Sequence, residues 1–288
     1  LTAVASEALI SAGASAVPSL VRGFERHASD RPFRLSVLRI LGLIRGDEVI
    51  GRVFPLSALP DCEERHAALL TLVSCGARPG PGQRDFLRGR LRNEAGDAAL
   101  LLMATESLRG PQEAEVLRVA LIEEVERVRH RIFLLLALLY PDHEVITTWD
   151  NFVSGLRERR AYALEVVENF TTKDEWTWLF PTLEDLGPTD RSKRCGREFG
   201  VTPLTFEGQV TAIVEHEALS DWTLLCARRL AALMNIGGTS FSEDEERRYQ
   251  RTVRLRSVEI FTGLPDHALA GVASRLEHVD FEAGEQVF

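Results

Sequence analysis

The residues best placed to do chemistry are a basic cluster, Arg191, Lys193, Arg194 and Arg197. On one or two helical turns these groups could grip a phosphate or the carboxylates of an acidic partner, because the planar Arg fork matches both geometries. Surface charge more often serves solubility, and that plainer role is the expectation for these four and for Arg157, Arg159 and Arg160. His143 with Glu144, and the run Glu215, His216 and Glu217, offer metal-ligand atoms. Neighbours on a helix point about 100° apart, so neither set converges as an i,i+4 pair would, and no metal site is expected. No serine sits in a Gly-x-Ser-x-Gly turn, and no Gly-rich loop ends in Gly-Lys-Ser or Gly-Lys-Thr. Catalytic and cofactor-binding residues are therefore expected to be absent from this stretch of chain.

Composition narrows the classes further. A net charge of −9 argues against a surface built for nucleic acid, where clustered Lys and Arg supply the affinity. Cys62, Cys75, Cys195 and Cys226 stand far apart in apolar-patterned segments, which predicts reduced cysteines of a cytoplasmic protein. Trp149, Trp176, Trp178 and Trp222 are expected to fill gaps between helices. No signal peptide or membrane span is read. The chain opens on Leu1 and closes in mid-pattern at Phe288, so it reads as a piece of a longer protein.

The element that would organise the chain is one long helix over residues 113–140. Leu117, Leu121, Val125, Val128, Ile132, Leu135 and Leu139 recur at spacings of three and four, and line one face to be buried. Glu123, Glu124, Glu126, Arg127, Arg129 and His130 fall opposite, with Glu123–Arg127 and Glu126–His130 at i,i+4 spacing. From Ile132 to Tyr140 nearly every residue is apolar, yet the run is shorter than the ~20 residues that cross a bilayer, so protein is expected to cover this end on all sides.

Before that helix the sequence shows weak self-similarity at a period of roughly 32 residues, with Ala8, Ile40, Leu72 and Ala104 at corresponding places. The first unit is the clearest. Ala8 to Gly13 closes one helix and Ala16 to Val21 starts the next. Asp30-Arg31-Pro32 opens a second unit that turns at Gly46-Asp47, and a third begins at Asp61 with its inter-helix loop at 77–82. Each amphipathic pair needs a stacked neighbour. On these residues, Ala8 to Arg22 above all, the unit resembles a HEAT repeat of the armadillo-type superfamily. The resemblance implies a curved, protein-binding surface and brings no catalytic residues.

Further helices are read at 143–153, 157–170, after Thr172 with Glu175 in capping-box spacing, after Thr202-Pro203, and after Ser220-Asp221. Residues 235–240, with Gly237 and Gly238, read as a linker, and Ser242 caps a charged helix. Then comes Ser257-Val258-Glu259-Ile260-Phe261, Leu264, a short helix from Pro265 through Leu269, Val272 and Leu276, a strand from Val279 and Phe281, and a turn at 282–285 before Gln286-Val287-Phe288. This order, from Leu255 to Phe288, resembles the N-terminal part of a cyclic nucleotide-binding domain. In that family a phosphate-binding cassette holds the nucleotide deep in a β-barrel, and none of its positions occurs here.

The expected fold is all-α. An α-solenoid of HEAT-like helical pairs spans 1–236, a linker 237–241, and the helical start and first strands of a truncated cyclic nucleotide-binding β-barrel 242–288. The combination is similar to bacterial proteins in which a nucleotide-transporter-like membrane region precedes both parts. Arg131 to Leu136 and Ala161 to Asn169 look like the middle of such soluble regions. That resemblance implies a non-catalytic regulatory or scaffolding segment that binds protein surfaces, at the cytoplasmic face of a membrane. Cyclic AMP or cyclic GMP would be sensed beyond this stretch, and Arg251, Arg254 and Leu255 would lie on the coupling helix. The alternative is a helical-repeat enzyme acting on a nucleobase or small ligand in the concave groove, which would need convergent acidic and basic residues in one pocket.

Overall fold

The computed structural model describes residues 3–140, 143–216 and 219–276. Among them every regular element is helical, an all-α fold. The expected strand and turn at 279–288 lie outside the described residues. The chain divides into two compact units, residues 1–107 with 124–204, and residues 108–123 with 205–288. The expected linker at 237–241 therefore lies inside the second unit.

The first unit opens with α1 (Ala3–Ala12) and α2 (Val17–Arg26), joined by a 3₁₀ turn at Gly13–Ala16 that uses a positive φ at Gly13. This helical run, Val4–Arg26, is long and apolar enough by length and composition to cross a membrane, a feature missed in reading the sequence. α3 (Arg31–Ile44) is capped by Asp30, whose carboxylate accepts from the Phe33 amide, and Pro32 occupies the first turn, where its missing N–H is no loss. α4 (Asp47–Val53) follows the turn at Gly46. α5 (Cys62–Ser74) is capped by Asp61, which accepts from the amides of Glu63 and Glu64. α3 packs against α1, α2 and α5. Of the period-related positions, Ile40, Leu72 and Ala104 are buried, whereas Ala8 is exposed.

α6 (Pro81–Ser107) and α7 (Glu115–Leu139) are the two long helices. All seven apolar residues expected on the inward face of α7 are buried, and so is every residue from Arg131 to Leu139. The expected polar face is different in kind, because Glu124 and Arg129 are also buried. Its ion pairs run at i,i+3, from Arg127 to Glu124 and from Arg129 to Glu126, and not at the i,i+4 positions expected. α8 (His143–Phe152) packs on α9 (Arg157–Phe170), and α10 (Lys173–Leu183) packs on α6, α9 and α11 (Pro188–Phe199). Thr172 and Glu175 form the expected capping box at the start of α10.

In the second unit α12 (Phe206–Val214) begins four residues after Thr202, with Thr205 as its cap. α13 (Asp221–Leu233), capped by Ser220, packs on α12, α14 (Glu243–Leu255) and α15 (Asp266–Ala273). Ser242 and Glu245 close a capping box on α14, and a 3₁₀ turn at Glu259–Phe261 separates α14 from α15.

Candidate functional site

The most organised polar site of the second unit lies where α15 begins. Pro265 is the N-cap of that helix and has no side-chain acceptor to offer, so the first amides of α15 need one from elsewhere. Glu123, near the start of α7, supplies it. Its Oε1 accepts from the Asp266 amide at 2.9 Å, and Oε2 lies 3.4 Å from both the His267 amide and His267 Nδ1. Burial pushes the Glu123 carboxyl up, but bonds from His267 and the Asp266 amide outweigh it and hold the group below its ordinary range.

Asp266 is itself buried, and its Oδ1 meets Arg256 Nε at 3.0 Å. Burial raises its pKa, helped by the nearby Glu123 charge and opposed by Arg256. Its Oδ2 and the Trp222 indole N–H are both buried without a hydrogen bond of good geometry, although the indole still favours the charged carboxylate. Trp222 stacks on Tyr249 with ring centroids 5.5 Å apart, and the Arg229 guanidinium lies 4.2 Å from the Tyr249 ring centroid. Two ion pairs join α13 to α14, Arg228–Glu245 at 2.8 Å and Arg229–Glu246 at 3.0 Å. Of the residues expected on the coupling helix, Arg251 donates to the Leu276 carbonyl at 3.0 Å, Leu255 is half-buried and Arg254 is exposed. Arg256, which the sequence did not single out, makes the ion pair.

A second polar centre, in the first unit, is buried. Glu94 on α6 accepts from Arg65 Nε of α5 and Arg131 Nε of α7, both at 2.8 Å, and from Arg90 at 3.1 Å. Arg65 also donates to the Leu59 and Pro60 carbonyls, at 2.7 and 2.8 Å. Burial alone would raise the Glu94 carboxyl, but Arg131 and Arg65 more than offset it and lower its pKa. Arg127 pairs with Glu124 by charge, while its buried nitrogens make no hydrogen bond. Beside these cations the Cys62 thiol is pushed up to about 11, mainly by burial, which leaves it protonated and unreactive near neutrality. His66 is pushed down to about 3 by burial, then by His130 and Arg131. Its ring faces His130 at 4.7 Å, and His130 stacks on Trp149 at 4.4 Å.

The four residues of the basic cluster lie on α11 but do not converge. Arg191 turns inward, buried against Glu106 at 3.3 Å, while Arg197 pairs with its neighbour Glu198. Lys193 is exposed, and Arg194 lies over the Phe180 ring, 5.0 Å from its centroid. Helical rotation explains the split, since positions 191 and 193 are about 200° apart on the wheel. Among the described residues no group of three His, Cys, Asp or Glu side chains could hold a metal ion, and Glu217 lies outside them. An open groove of about 820 Å³ runs along α6 and the 198–204 segment, lined by Arg90, Arg92, Asn93, Asp97, Glu198 and Phe199 among others. Arg92 spans its wall, donating to the Glu198 carbonyl at 3.3 Å and lying 5.5 Å from the Trp178 ring.

No family model, no curated protein and no solved structure matches the chain.

Proposed function

We propose that the chain is a non-catalytic regulatory and scaffolding segment, in which HEAT-like helical pairs bind protein surfaces and the last helices couple to a cyclic nucleotide-sensing domain that follows Phe288. Successive packing of α1, α3 and α5 supports the solenoid reading, because alternate helices stack in such arrays. The order α14, 3₁₀ turn, α15 supports the nucleotide-domain reading. In this proposal the protein acts in the cytoplasm, at the cytoplasmic face of a membrane.

The observation that carries the proposal is the way α14 and α15 are held. Arg228–Glu245, Arg229–Glu246, Arg256–Asp266 and the Glu123 cap are polar contacts, and each of the three ion pairs has one exposed partner and one that is partly or fully buried. Exposed ion pairs are individually worth about 0–1 kcal/mol, so a bound ligand can shift the Arg228–Glu245 and Arg229–Glu246 pairs at small cost. Nucleotide binding would move α14 against α13, and the change would pass into the first turns of α7 through Glu123.

The test is calorimetric titration of cyclic AMP and cyclic GMP into the full-length protein, with this 288-residue chain as control. Binding to the full-length protein alone is the expected outcome. Binding to the control, or to neither, would contradict the proposal.

A further inference from the structure

Arg194 is exposed, and no carboxylate among the described residues pairs with it. Its guanidinium instead covers the Phe180 ring at 5.0 Å, while Trp176 meets the same ring edge to face at 5.4 Å. With Thr177 these side chains line an open cleft of about 210 Å³ on the first unit. A water occupies about 30 Å³ of liquid, so the cleft has room for one large apolar or aromatic side chain. Trp176 and Phe180 are half-buried where they line the cleft, and Arg194, with no carboxylate partner among the described residues, lines it beside them. Lys173, exposed one helical turn from Thr177, adds positive charge in a chain whose net charge is −9.

We propose that this cleft docks a short acidic segment of a partner protein, seating one apolar or aromatic side chain against Trp176 and Phe180 and one carboxylate on Arg194. Aromatic pockets beside an Arg are energetically concentrated contacts, and a guanidinium already held over a ring is pre-organised for a carboxylate. A buried carboxylate partner would have neutralised Arg194 within the fold, as Glu106 does for Arg191. The inference rests on reading the chain as a protein-binding segment and adds to it where the partner sits and what its chemistry is.

The test uses three fluorescein-labelled octapeptides titrated into the 288-residue chain by anisotropy: polyglutamate with one central Phe, the same with Ala for Phe, and polylysine with one central Phe. The acidic Phe peptide should bind most tightly. Arg194→Gln should weaken it about tenfold, on the scale of a charge-assisted hydrogen bond. Thr177→Glu, which places a negative charge on an exposed lining residue, should weaken it as much, and Lys193→Gln less than twofold. Equal binding of the Phe and Ala peptides, or binding that ignores both Arg194→Gln and Thr177→Glu, would overturn the proposal and leave only general charge attraction. Loss of this binding with cyclic nucleotide binding to the full-length protein intact would remove the cleft and keep the regulatory reading.

Discussion

The carboxylate of Glu123 accepts a hydrogen bond at 2.9 Å from the amide of Asp266, a residue 143 positions further along the chain, and so caps a helix that has no cap of its own. Helix N-termini leave several amides without partners, and most find a local Ser, Thr, Asp or Asn. Here the N-cap is Pro265, and the acceptor comes from a distant helix within the same unit. The position of α15 is thereby tied to the first turns of α7.

Glu123→Ala removes the acceptor for both amides and should cost about 1–2 kcal/mol, the range for losing an N-cap. Glu123→Gln keeps one carbonyl oxygen and should cost less. Because the folded pKa of Glu123 lies below its ordinary value, this contribution is present above about pH 4.3 and is lost as pH falls through the folded value. Amide exchange at Asp266 and His267 reads it directly, and unchanged protection in Glu123→Ala would count against the cap.

Glu94→Leu would leave Arg65 and Arg131 buried with no carboxylate between them. Breaking a buried ion pair by removing one partner typically costs about 3–5 kcal/mol, so the urea midpoint should fall sharply. A midpoint shift of less than about 1 kcal/mol in equivalent stability would show that water or relaxed side chains satisfy the two arginines.

His66 supplies a pH signature. Its folded pKa of about 3 lies far below the ordinary histidine value of about 6.5, so the unfolded chain binds the proton first as pH falls. Its contribution is complete above about pH 6.5 and declines below it, at about 1.4 kcal/mol per pH unit for a single site. In His66→Gln the dependence of thermal stability on pH between 6.5 and 4.5 should flatten. An unchanged slope would mean that other groups carry it.

Ser242→Ala removes the side-chain half of the capping box on α14 and should cost about 0.5–2 kcal/mol. Urea unfolding followed by tryptophan fluorescence tests it, because Trp222, one of the four tryptophans, stacks on Tyr249 of α14. No shift would mean that Glu245 alone secures the helix start.

Much of the fold was legible because helices announce their own ends. Asp30, Asp61, Thr172, Ser220 and Ser242 all act as caps, each visible as a short polar side chain before a helical pattern. The buried face of α7 was legible for the same reason, through its 3.6-residue period. Its polar face differs from the expectation, because Glu124 and Arg129 carry charge yet lie inside, neutralised by Arg127 and Glu126, partners that periodicity does not reveal. Glu123 was missed as a cap for a similar reason: only Pro265, a residue unable to cap its own helix, hinted that an acceptor must come from afar. The basic cluster was visible as composition, while its division between the buried Arg191 and the exposed Arg194 depends on what lies beside each turn of α11.

The most direct measurement is hydrogen–deuterium exchange of the full-length protein with and without cyclic AMP. The expected result is altered protection confined to α14, α15 and the first turns of α7, with the effect on α7 lost in Glu123→Ala. Nucleotide binding that leaves exchange in these helices unchanged would contradict the coupling.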